Sequence, residues 1–471
     1  MKNCIFTCVF NNKKYIDMFY LFLESIYISG NLKNNTDILL YTSTEFMNII
    51  KSSHLFCDKI KFELNDSYNN IDKACKARVD LFELKSVTNY DKILYLDTDI
   101  IVKHDINELF DICKDEILYV LEEGDLAKDE IKPNLFLDFH GRPLFTHEEV
   151  NNMEDTTAFS SGIMLFKNCL PIKTLFKNIK KHLSSSHHTF STFDQPFIIY
   201  NAIKEKLYNN KILKRVCLNI GNKHGDIESD KIIHHFCGGP GIPYHKIDFM
   251  TVFLNKIKNT NTNKHILDAK KYITENLLPI IINSNENLEG NIFMRHNTIG
   301  FSDYYIDKAK NISNILLNKN IKKVLEIGFN SGFSALLMLL TNPNIHITCC
   351  DLGEHLYTIP CFEKINKDFG GRIKLILGNS NQTLPKISDT FDIIHIDGGH
   401  QVHVAEKDIQ NSYKLSKTGT ILIFDDYDFN NLHSLWNYYI KAFELKYCNI
   451  QTNNTPFHDI KFISRYINFT N

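Results

Sequence analysis

Residues 93–102, ILYLDTDIIV, place two acidic side chains inside an otherwise apolar run. Such a run predicts a strand that is buried on both faces, as in a parallel sheet. Ionised carboxylates are costly to bury without a partner, and Asp97 and Asp99 would also repel each other. Because the two side chains lie on the same side of an extended chain, one divalent cation would resolve both problems. The alternative is an acidic pair at a strand end that faces solvent or caps the next helix.

Composition argues against several classes of protein. The chain has 471 residues, which predicts two or three domains, and its formal net charge of −2 argues against nucleic acid or an anionic membrane as the main partner. Its 12 cysteines include no Cys-x-x-Cys pair suited to zinc, so we expect free thiols in a reducing compartment. The chain begins with a strand pattern and has no apolar run of membrane-spanning length, so we expect a cytoplasmic protein without a membrane span. Frequent Asn, Ile and Lys indicate an AT-rich genome; if the source is a large DNA virus, the expected location is the host cytoplasm or the virion.

Strand and helix patterns alternate through both halves of the chain, which predicts an α/β fold with two doubly wound domains. In the first half, an amphipathic helix is expected at 72–86, and strands are expected at 5–10, 36–41, 59–64 and 159–166. In the second half, strands are expected at 323–328, 345–350, 373–377, 393–396 and 420–424. Residues 256–264 are rich in Asn, Thr and Lys without apolar periodicity, which indicates a linker. We therefore predict domains at 1–256 and 285–471, with a linker and lead-in helix at 257–284.

Four short motifs follow one another in the first half, each after the expected secondary structure. They are Asp97-Thr98-Asp99, the FSSG run at 159–162, Asp194-Gln195 and the HFCG run at 235–238. Together they resemble glycosyltransferase family 8, the glycogenin and bacterial galactosyltransferase group with a GT-A nucleotide-sugar fold, over roughly residues 1–250. The resemblance implies that Asp97, Asp99 and His235 hold Mn²⁺ against the diphosphate of a nucleotide sugar. His234 is the alternative to His235, which we favour because His-aromatic-Cys-Gly matches the family spacing.

The resemblance also implies residues that contact the donor. Tyr15 lies ten residues before Ser25, as the uracil-stacking tyrosine of the family does before its helix serine; the alternative is an ordinary helix tyrosine. Arg78 resembles the cation that touches donor phosphate and sugar. Lys76 is a rival for that role, and both side chains could instead belong to a solvated helix face.

Asp194 and Gln195 resemble the pair that faces the transferred sugar in this retaining family. An amide is a poor nucleophile, so transfer on the front face through an ion-pair-like state is favoured over a glycosyl-enzyme; the alternative for the pair is a helix N-cap. Two features depart from the family. Ser160 stands where Asn is frequent, and the family's Lys-Pro-Trp is absent, so Lys246 and the Gly-rich backbone of residues 238–241 become the candidates for binding phosphate.

The second half contains a strand, a glycine turn and a helix start at residues 324–334, VLEIGFNSGFS. Glycines at such a turn let a ligand approach the backbone, and Asp351 ends the next strand, where an acid can bind ribose hydroxyls. This order resembles class I S-adenosylmethionine-dependent methyltransferases; a nicotinamide site is the weaker alternative because Gly-x-Gly-x-x-Gly is not matched. The residues expected to bind the methyl donor are Glu326, Gly328, Asn330, Gly332, Asp351 and Asn379.

An acid after one strand and an Asp-Asp pair after the next follow in the same half. Asp397 and the pair Asp425-Asp426 resemble the Mg²⁺-dependent O-methyltransferases, especially those acting on sugars, over about residues 285–430. The resemblance implies that the three acids hold Mg²⁺ or a similar divalent ion, which would bind two adjacent substrate hydroxyls and lower the pKa of one of them. His400 is the expected general base, and a loop-end histidine is the alternative.

These patterns predict a bifunctional enzyme of glycan biosynthesis. One half would transfer a sugar from a nucleotide donor, expected to be a UDP-sugar, with retention, and the other would methylate a sugar hydroxyl. The expected partner is therefore a glycan or glycoconjugate acceptor. The alternatives are that one domain only binds glycan or nucleotide, or that the methyltransferase acts on a non-sugar diol.

Overall fold

A computed structural model describes residues 1–126, 140–153, 156–220, 228–237, 243–448 and 453–465. The chain forms two compact units, one of residues Met1–Lys51 and Cys57–Leu254 and the other of residues Ser52–Phe56 and Asn255–Asn471. The predicted α/β architecture is confirmed in each unit. Among the described helices, none combines the length and apolar character needed to cross a bilayer.

The first unit alternates strands and helices through most of its length. Its strands are β1 (Asn3–Val9), β2 (Thr36–Thr42), β3 (Ile60–Leu64), β4 (Lys92–Leu96), β5 (Ile100–Val102), β6 (Leu118–Asp125), β7 (Thr157–Lys167), β8 (Tyr208–Asn209), β9 (Cys217–Asn219) and β10 (Ile233–His235). Its helices are α1 (Lys14–Ser29), α2 (Thr44–Lys51), α3 (Ile71–Cys75), α4 (Asn107–Ile112), α5 (His147–Asn151), α6 (Leu170–Ser185) and α7 (Gln195–Lys204). Helix α8 (Pro243–Tyr272) begins in this unit.

The strands of the first unit form two sheets. The larger has the order β3-β2-β1-β4-β7-β6-β8, in which β3, β2, β1 and β4 are parallel and β7 runs antiparallel to its neighbours. The smaller sheet has the order β5-β10-β9. Apolar side chains from β1, β2, β4 and β7 pack with those of α6 and α7 into one core.

Two predictions of local structure in this unit are wrong. The run 93–102 is not one strand, because β4 ends at Leu96 and β5 starts at Ile100 in the other sheet, so Asp97, Thr98 and Asp99 lie in the break between them. The break takes both carboxylates out of the sheet interior, where ionised groups are costly. The expected helix at 72–86 is instead a short α-helix, α3, followed by 3₁₀ helices at Ala77–Glu83 and Lys85–Asn89.

The second unit is a second α/β domain. Its strands are β11 (Lys323–Ile327), β12 (His346–Asp351), β13 (Ile373–Leu377), β14 (Ile393–Ile396), β15 (Ile421–Asp425), β16 (Lys446–Tyr447) and β17 (His458–Phe462). Its helices after α8 are α9 (Leu278–Ser284), α10 (Ile306–Leu316), α11 (Phe333–Thr341), α12 (Thr358–Asp368), α13 (Ser380–Thr383), α14 (Val402–Lys414) and α15 (Asn430–Ala442).

One sheet of order β13-β12-β11-β14-β15-β17-β16 organises this unit, with β17 antiparallel to β15. Alternate side chains of β11 enter different cores, because Val324 packs with α10 and α11 whereas Leu325 packs with α14 and α15. Trp436 is fully buried in the second of these cores, where it stacks on Phe424. A parallel sheet covered on both faces explains why its strands read as continuous apolar runs.

Helix α8 continues through residues 256–264, which the sequence pattern assigned to a linker. The buried positions within it include Lys258, Thr262 and Ile266, spaced four residues apart along one helix face. Thr262 is accommodated because its hydroxyl donates to Asn314 Oδ1 at 2.7 Å. Because polar residues occupy inward-facing positions, the sequence lacks the regular apolar spacing that would predict a helix here. The domain limits 1–256, 257–284 and 285–471 stay a prediction.

Gly328 follows β11 with φ +94°, and a Cβ placed there would lie 1.9 Å from the backbone oxygen of Asp397. We expect Gly328→Ala to destabilise the protein by about 1–3 kcal/mol more than Gly370→Ala. Gly370 also has a positive φ, +64°, but its Cβ would meet no atom within 4 Å, so it controls for backbone strain alone. Chemical denaturation of the two variants measures the difference, and equal losses would contradict the close contact.

Candidate functional site

The first site lies at the carboxyl ends of β1 and β4, where the order of the larger sheet of the first unit reverses. Open α/β sheets bind ligands at such a switch point. Asn11 follows β1, and Asp97 follows β4 directly; both line a cleft of about 240 Å³. Among the other residues that line it are Tyr15, Arg78, Asp99, Ser160, Asp194, Gln195, His235 and Lys246.

Asp97, Asp99 and His235 come together in this cleft although they belong to different segments. One ligand atom of each lies within 4.8 Å of the others, and His235 Nε2 is 3.3 Å from Asp99 Oδ1. Backbone hydrogen bonds fix both ends of the acidic segment, since Asp97 N donates to Gly162 O and Phe236 N donates to Asp99 O. His235 is the last residue of β10. It pairs with Ile100, the first residue of β5, which directly follows Asp99.

Gly162 and Asn219 shape this group of three ligands. A Cβ on Gly162 would lie 2.5 Å from His235 Cε1 and 2.8 Å from Asp97 Oδ2, so only glycine leaves room between the ligands. His235 Nδ1 donates to Asn219 Oδ1 at 2.9 Å, which leaves Nε2 for Asp99 or a metal. Two carboxylates and an oriented imidazole around a space that a side chain would fill are a donor set that fits a divalent transition metal.

Lys246 contacts the same acidic group. Its ammonium donates to Asp99 Oδ2 at 2.6 Å. Burial lowers the pKa of Lys246, but Asp99 and Asp97 together with Cys237 raise it, and the net pKa lies above its ordinary value. Burial likewise raises the pKa of Asp99, and Lys246 and His235 outweigh it in the opposite direction. Both groups are therefore charged. The Gly-rich residues 238–241, the other phosphate candidates, lie outside the described residues.

Arg78 is buried at the back of the cleft, and Asp194 holds it with both carboxylate oxygens. Nε donates to Asp194 Oδ2 at 2.7 Å and Nη2 to Oδ1 at 2.5 Å, while Nη1 reaches Ser161 O at 3.1 Å and Asp97 Oδ1 at 3.4 Å. Lys76, the rival, instead pairs with Asp72 at 2.7 Å and does not line the cleft. Asp194 occupies the N-cap position of α7 but makes no side-chain cap bond, so its partner is Arg78.

Gln195 lies beside this ion pair at the start of α7. Its Oε1 accepts from the Ser161 backbone N at 3.0 Å and from Ser161 Oγ at 2.9 Å, which fixes the amide. Ser160 Oγ accepts from Gly162 N at 3.4 Å, next to the metal ligands. Tyr15 lies in the first turn of α1 and is half-buried, and burial raises the pKa of its hydroxyl. The structure thus brings Tyr15, Arg78, Ser160, Asp194, Gln195 and Lys246 into one cleft with the three candidate metal ligands, whereas Lys76 lies outside it.

The second site lies at the switch point between β11 and β14. The Gly328 turn after β11 approaches the Asp397 backbone after β14, and both line a cavity of about 950 Å³. Asn330, Asp351 and Asn379 line the same cavity. Gly332 has φ +75° and begins α11.

Several residues expected to bind the methyl donor also hold the protein backbone. Asp351 Oδ2 accepts from the backbone N of Phe329 and Asn330, both at 2.8 Å, and Oδ1 accepts from Gly353 N at 2.7 Å. The Asn379 side chain caps α13. Glu326 is fully buried and does not line the cavity. Its carboxylate is instead held by Ser334, His395 and Cys349.

The predicted acidic triad of the second site is divided in the structure. The atoms that come within 4.8 Å of one another belong to His395, Asp397 and Asp425, not to Asp426. Asp426 has φ +56° and its Oδ2 pairs with His400 Nε2 at 2.9 Å. This hydrogen bond raises the pKa of His400 despite partial burial.

Lys308, like His395, is a residue of this site that no sequence motif indicated. Its ammonium contacts Asp425 Oδ2, and its carbon chain enters from α10. Burial raises the pKa of Asp397, and the neighbouring Asp425 raises it further. Lys308 and His395 instead lower the pKa of Asp425 by more than burial raises it. Of the predicted metal ligands, Asp397 and Asp425 thus lie with His395 in a group that could hold an ion, whereas Asp426 lies outside that group and pairs with His400.

Comparison with known proteins separates the two halves in the same way. The family model described as Glycosyl transferase family 8 matches residues 7–214, and the model described as Methyltransferase domain matches residues 325–427. No curated protein matches the chain.

Solved structures similar to the chain include members of both groups. The glycosyltransferase GlyE of Streptococcus pneumoniae TIGR4 is 13% identical, with coverage of 87% of this chain and 89% of that chain and a TM-score of 0.35. The SAH-bound Podospora anserina methyltransferase PaMTH1 is 16% identical, with coverage of 34% and 77% and a TM-score of 0.28. The O-methyltransferase from Bacillus cereus in complex with SAH is 18% identical, with coverage of 32% and 78% and a TM-score of 0.27. The resemblances predicted from the sequence are confirmed by the two family models, and the chain is an enzyme that joins a glycosyl transferase family 8 domain to a methyltransferase domain.

Proposed function

We propose that the first unit transfers a sugar from a nucleotide donor, with a UDP-sugar as the expected class, to a glycan acceptor. The observation that carries the proposal is the group Asp97, Asp99 and His235 in a cleft that also contains Arg78 and Lys246. A nucleotide sugar carries its charge on a diphosphate, so its site needs positive charge near the bond that breaks. Mn²⁺ held by the three ligands would act as a Lewis acid on the leaving diphosphate, and imidazole with carboxylates suits it better than Ca²⁺.

Lys246 and Arg78 have separate tasks in this proposal. Lys246 neutralises Asp99 at 2.6 Å, and it becomes available to a diphosphate oxygen when another cation takes over Asp99. Arg78 is fixed by Asp194 and Ser161, so its guanidinium is a preorganised charge that needs no rearrangement when negative charge develops. Tyr15 offers an aromatic face to the nucleobase.

The groups proposed to face the sugar argue against a glycosyl-enzyme intermediate. Both oxygens of Asp194 are engaged by Arg78, so a glycosyl-enzyme on Asp194 would require that ion pair to break. Gln195 is an amide and a poor nucleophile. We therefore propose transfer on the front face: the acceptor oxygen bonds to the anomeric carbon as its bond to the diphosphate breaks, and the hydroxyl proton passes to the departing diphosphate. Gln195, fixed by Ser161, would stabilise the positive sugar carbon.

We propose that the second unit transfers a methyl group from S-adenosylmethionine to a hydroxyl, and that the acceptor is a sugar of the same glycan. The glycine turn around Gly328 and Gly332 lets the donor approach the backbone, while Asp351 holds that turn and faces the cavity. His400, oriented by Asp426, is the base that takes the hydroxyl proton. Covalent fusion of the two activities raises the effective concentration of one product for the next step.

For the glycosyl transfer site, we expect donor hydrolysis or transfer to require Mn²⁺ and to fall at least about 100-fold in Asp99→Ala, since the loss removes a metal ligand. Asp111→Ala, an exposed acid on α4, is the matched control and should retain activity. Release of nucleoside diphosphate from a panel of UDP-sugars measures both. Mn²⁺-dependent turnover that survives in Asp99→Ala would contradict the metal assignment.

The Arg78–Asp194 pair provides a test that does not need a known substrate. Arg78→Met should lower the free energy of unfolding by about 3–5 kcal/mol, because it leaves the buried Asp194 carboxylate without its partner. Lys76→Met removes only an exposed pair with Asp72 and should cost about 0.5 kcal/mol or less. Urea denaturation separates these outcomes; similar costs for both variants would mean that Arg78 is not the buried cation of the cleft.

For the methyl transfer site, S-adenosylhomocysteine should raise the unfolding temperature of both wild type and His400→Gln, because His400 serves the acceptor. Methyl transfer should nevertheless fall about 10²–10⁴-fold in His400→Gln. His403→Gln, an exposed histidine on α14, is the control. Mass spectrometry of a glycan library incubated with UDP-sugars and S-adenosylmethionine measures the transfer. Unchanged methylation in His400→Gln would exclude it as the base, and absent stabilisation of the wild type would exclude the methyl donor.

A further inference from the structure

The methyltransferase cavity has a buried cation of its own in Lys308. This residue of α10 is 7% exposed and lines the cavity together with Tyr305 and Asp397. Its ammonium contacts Asp425 Oδ2, and the nitrogen lies 5.4 Å from the centroid of the Tyr305 ring. A lysine is rarely buried to this degree unless a carboxylate holds it.

The charges around Lys308 explain why it is needed there. Asp397 and Asp425 meet at the carboxyl ends of β14 and β15, and Asp425 is almost completely buried. Asp426 already has a partner in His400 at 2.9 Å. Two neighbouring acids therefore remain, and buried carboxylates require a cation close by. Lys308 supplies that charge from the protein itself.

A divalent ion would compete with Lys308 for the same oxygen. Oxygen ligands bind Mg²⁺ or Ca²⁺ at about 2.0–2.6 Å, so an ion on Asp425 Oδ2 would lie next to the ammonium that already contacts it. The expected third ligand, Asp426, is turned toward His400. His395 could replace it as a ligand, because Glu326 engages its Nδ1 at 3.2 Å and its Nε2 lies 3.9 Å from Asp425 Oδ2, but an ion on that oxygen would again lie beside the Lys308 ammonium.

We propose that Lys308 takes the place of the divalent ion that the sequence motif predicts, so that methyl transfer in this chain is independent of metal. This inference rests on the proposed methyl transfer in the second unit. Lys308 acts as a catalytic residue: it balances Asp425 and Asp397 and directs its positive charge toward the acceptor oxygen. A single hydroxyl can use such a point charge, whereas a metal site selects two adjacent hydroxyls.

The chemical step needs no further reactant. The acceptor oxygen bonds to the methyl carbon as the carbon–sulfur bond breaks, and the electron pair of that bond stays on sulfur, which becomes a neutral thioether. The hydroxyl proton passes to His400. Lys308 keeps its three protons throughout and stabilises the negative charge that develops on the oxygen.

Counting bound Mn²⁺ per chain by electron paramagnetic resonance tests the proposal without any acceptor. We expect the wild type to bind one ion and Asp99→Ala to bind none. Lys308→Met should bind two ions, because Asp397 and Asp425 are then free to bind metal. Lys310→Met, a partly exposed lysine on the same helix that pairs with Asp307 at 3.3 Å, is the control and should bind one. Two ions in the wild type, one of them lost in Asp425→Asn, would overturn the proposal. A wild type that binds no Mn²⁺ would contradict the metal site of the first unit instead. In that case, Mn²⁺ bound by Lys308→Met but not by the wild type would still support the proposed role of Lys308.

Turnover provides the second measurement. Production of S-adenosylhomocysteine by the full chain should change less than about twofold after treatment with EDTA, and Lys308→Met should lose about 100-fold or more. Lys308→Arg should recover part of this loss, because it keeps the charge. Loss of wild-type turnover in EDTA and its return with Mg²⁺ would overturn the proposal. The wild-type measurements do not depend on the folding of any variant, and stabilisation by S-adenosylhomocysteine checks that Lys308→Met is folded.

Discussion

Both sites depend on one constraint, which is that the acids buried in them must find a cation. In the first unit, Asp194 is fully buried and Arg78 holds it with two hydrogen bonds, while Asp99 is held by Lys246 and faces His235. In the second unit, Asp425 is held by Lys308. Unpaired, these carboxylates would oppose folding, because an isolated charge is costly to bury. Each pairing also determines which oxygen atoms remain open to a ligand, so the electrostatics of folding and of binding cannot be separated at these positions.

The sequence predicted the strands well wherever the strand is buried on both faces. Strand β14, which is buried at all four positions, agrees with the predicted range 393–396, because β-branched apolar runs bounded by turns have few other interpretations. Strand β13 agrees with 373–377 although it is partly exposed at the edge of the sheet. Prediction failed where a polar residue takes a buried position. Lys258 and Thr262 face inward on α8, so a continuous helix had no apolar stripe to reveal it. The prediction of a single strand at 93–102 failed for a different reason. Nothing in the local pattern shows that the chain leaves one sheet at Leu96 and enters another at Ile100.

The candidate sites show the same division between local and long-range information. The sequence shows the motif spacing of Asp97, Asp99 and His235, and the structure brings these three residues together. Asn219 carries no such signal. It reaches His235 because β9 and β10 pair in a register that puts the two residues side by side, which is a property of two three-residue strands. Lys308 lies 117 positions before Asp425, on a helix that precedes the first strand of its sheet, so only the packing of α10 reveals the contact.

The two sites differ in what their histidines do, and this difference has a structural cause. His235 is held from behind by Asn219, a neutral amide, so its second nitrogen faces an acid and can join it on a metal. His400 pairs with Asp426 at 2.9 Å and lies outside the group of candidate metal ligands, which suits the proposed role of moving a proton. With Asp426 paired to His400, the candidate ligands left beside Lys308 are Asp397, Asp425 and His395. An acidic pair after a strand therefore does not by itself identify a metal site. The partners of each carboxylate must also be known, and the motif does not show them.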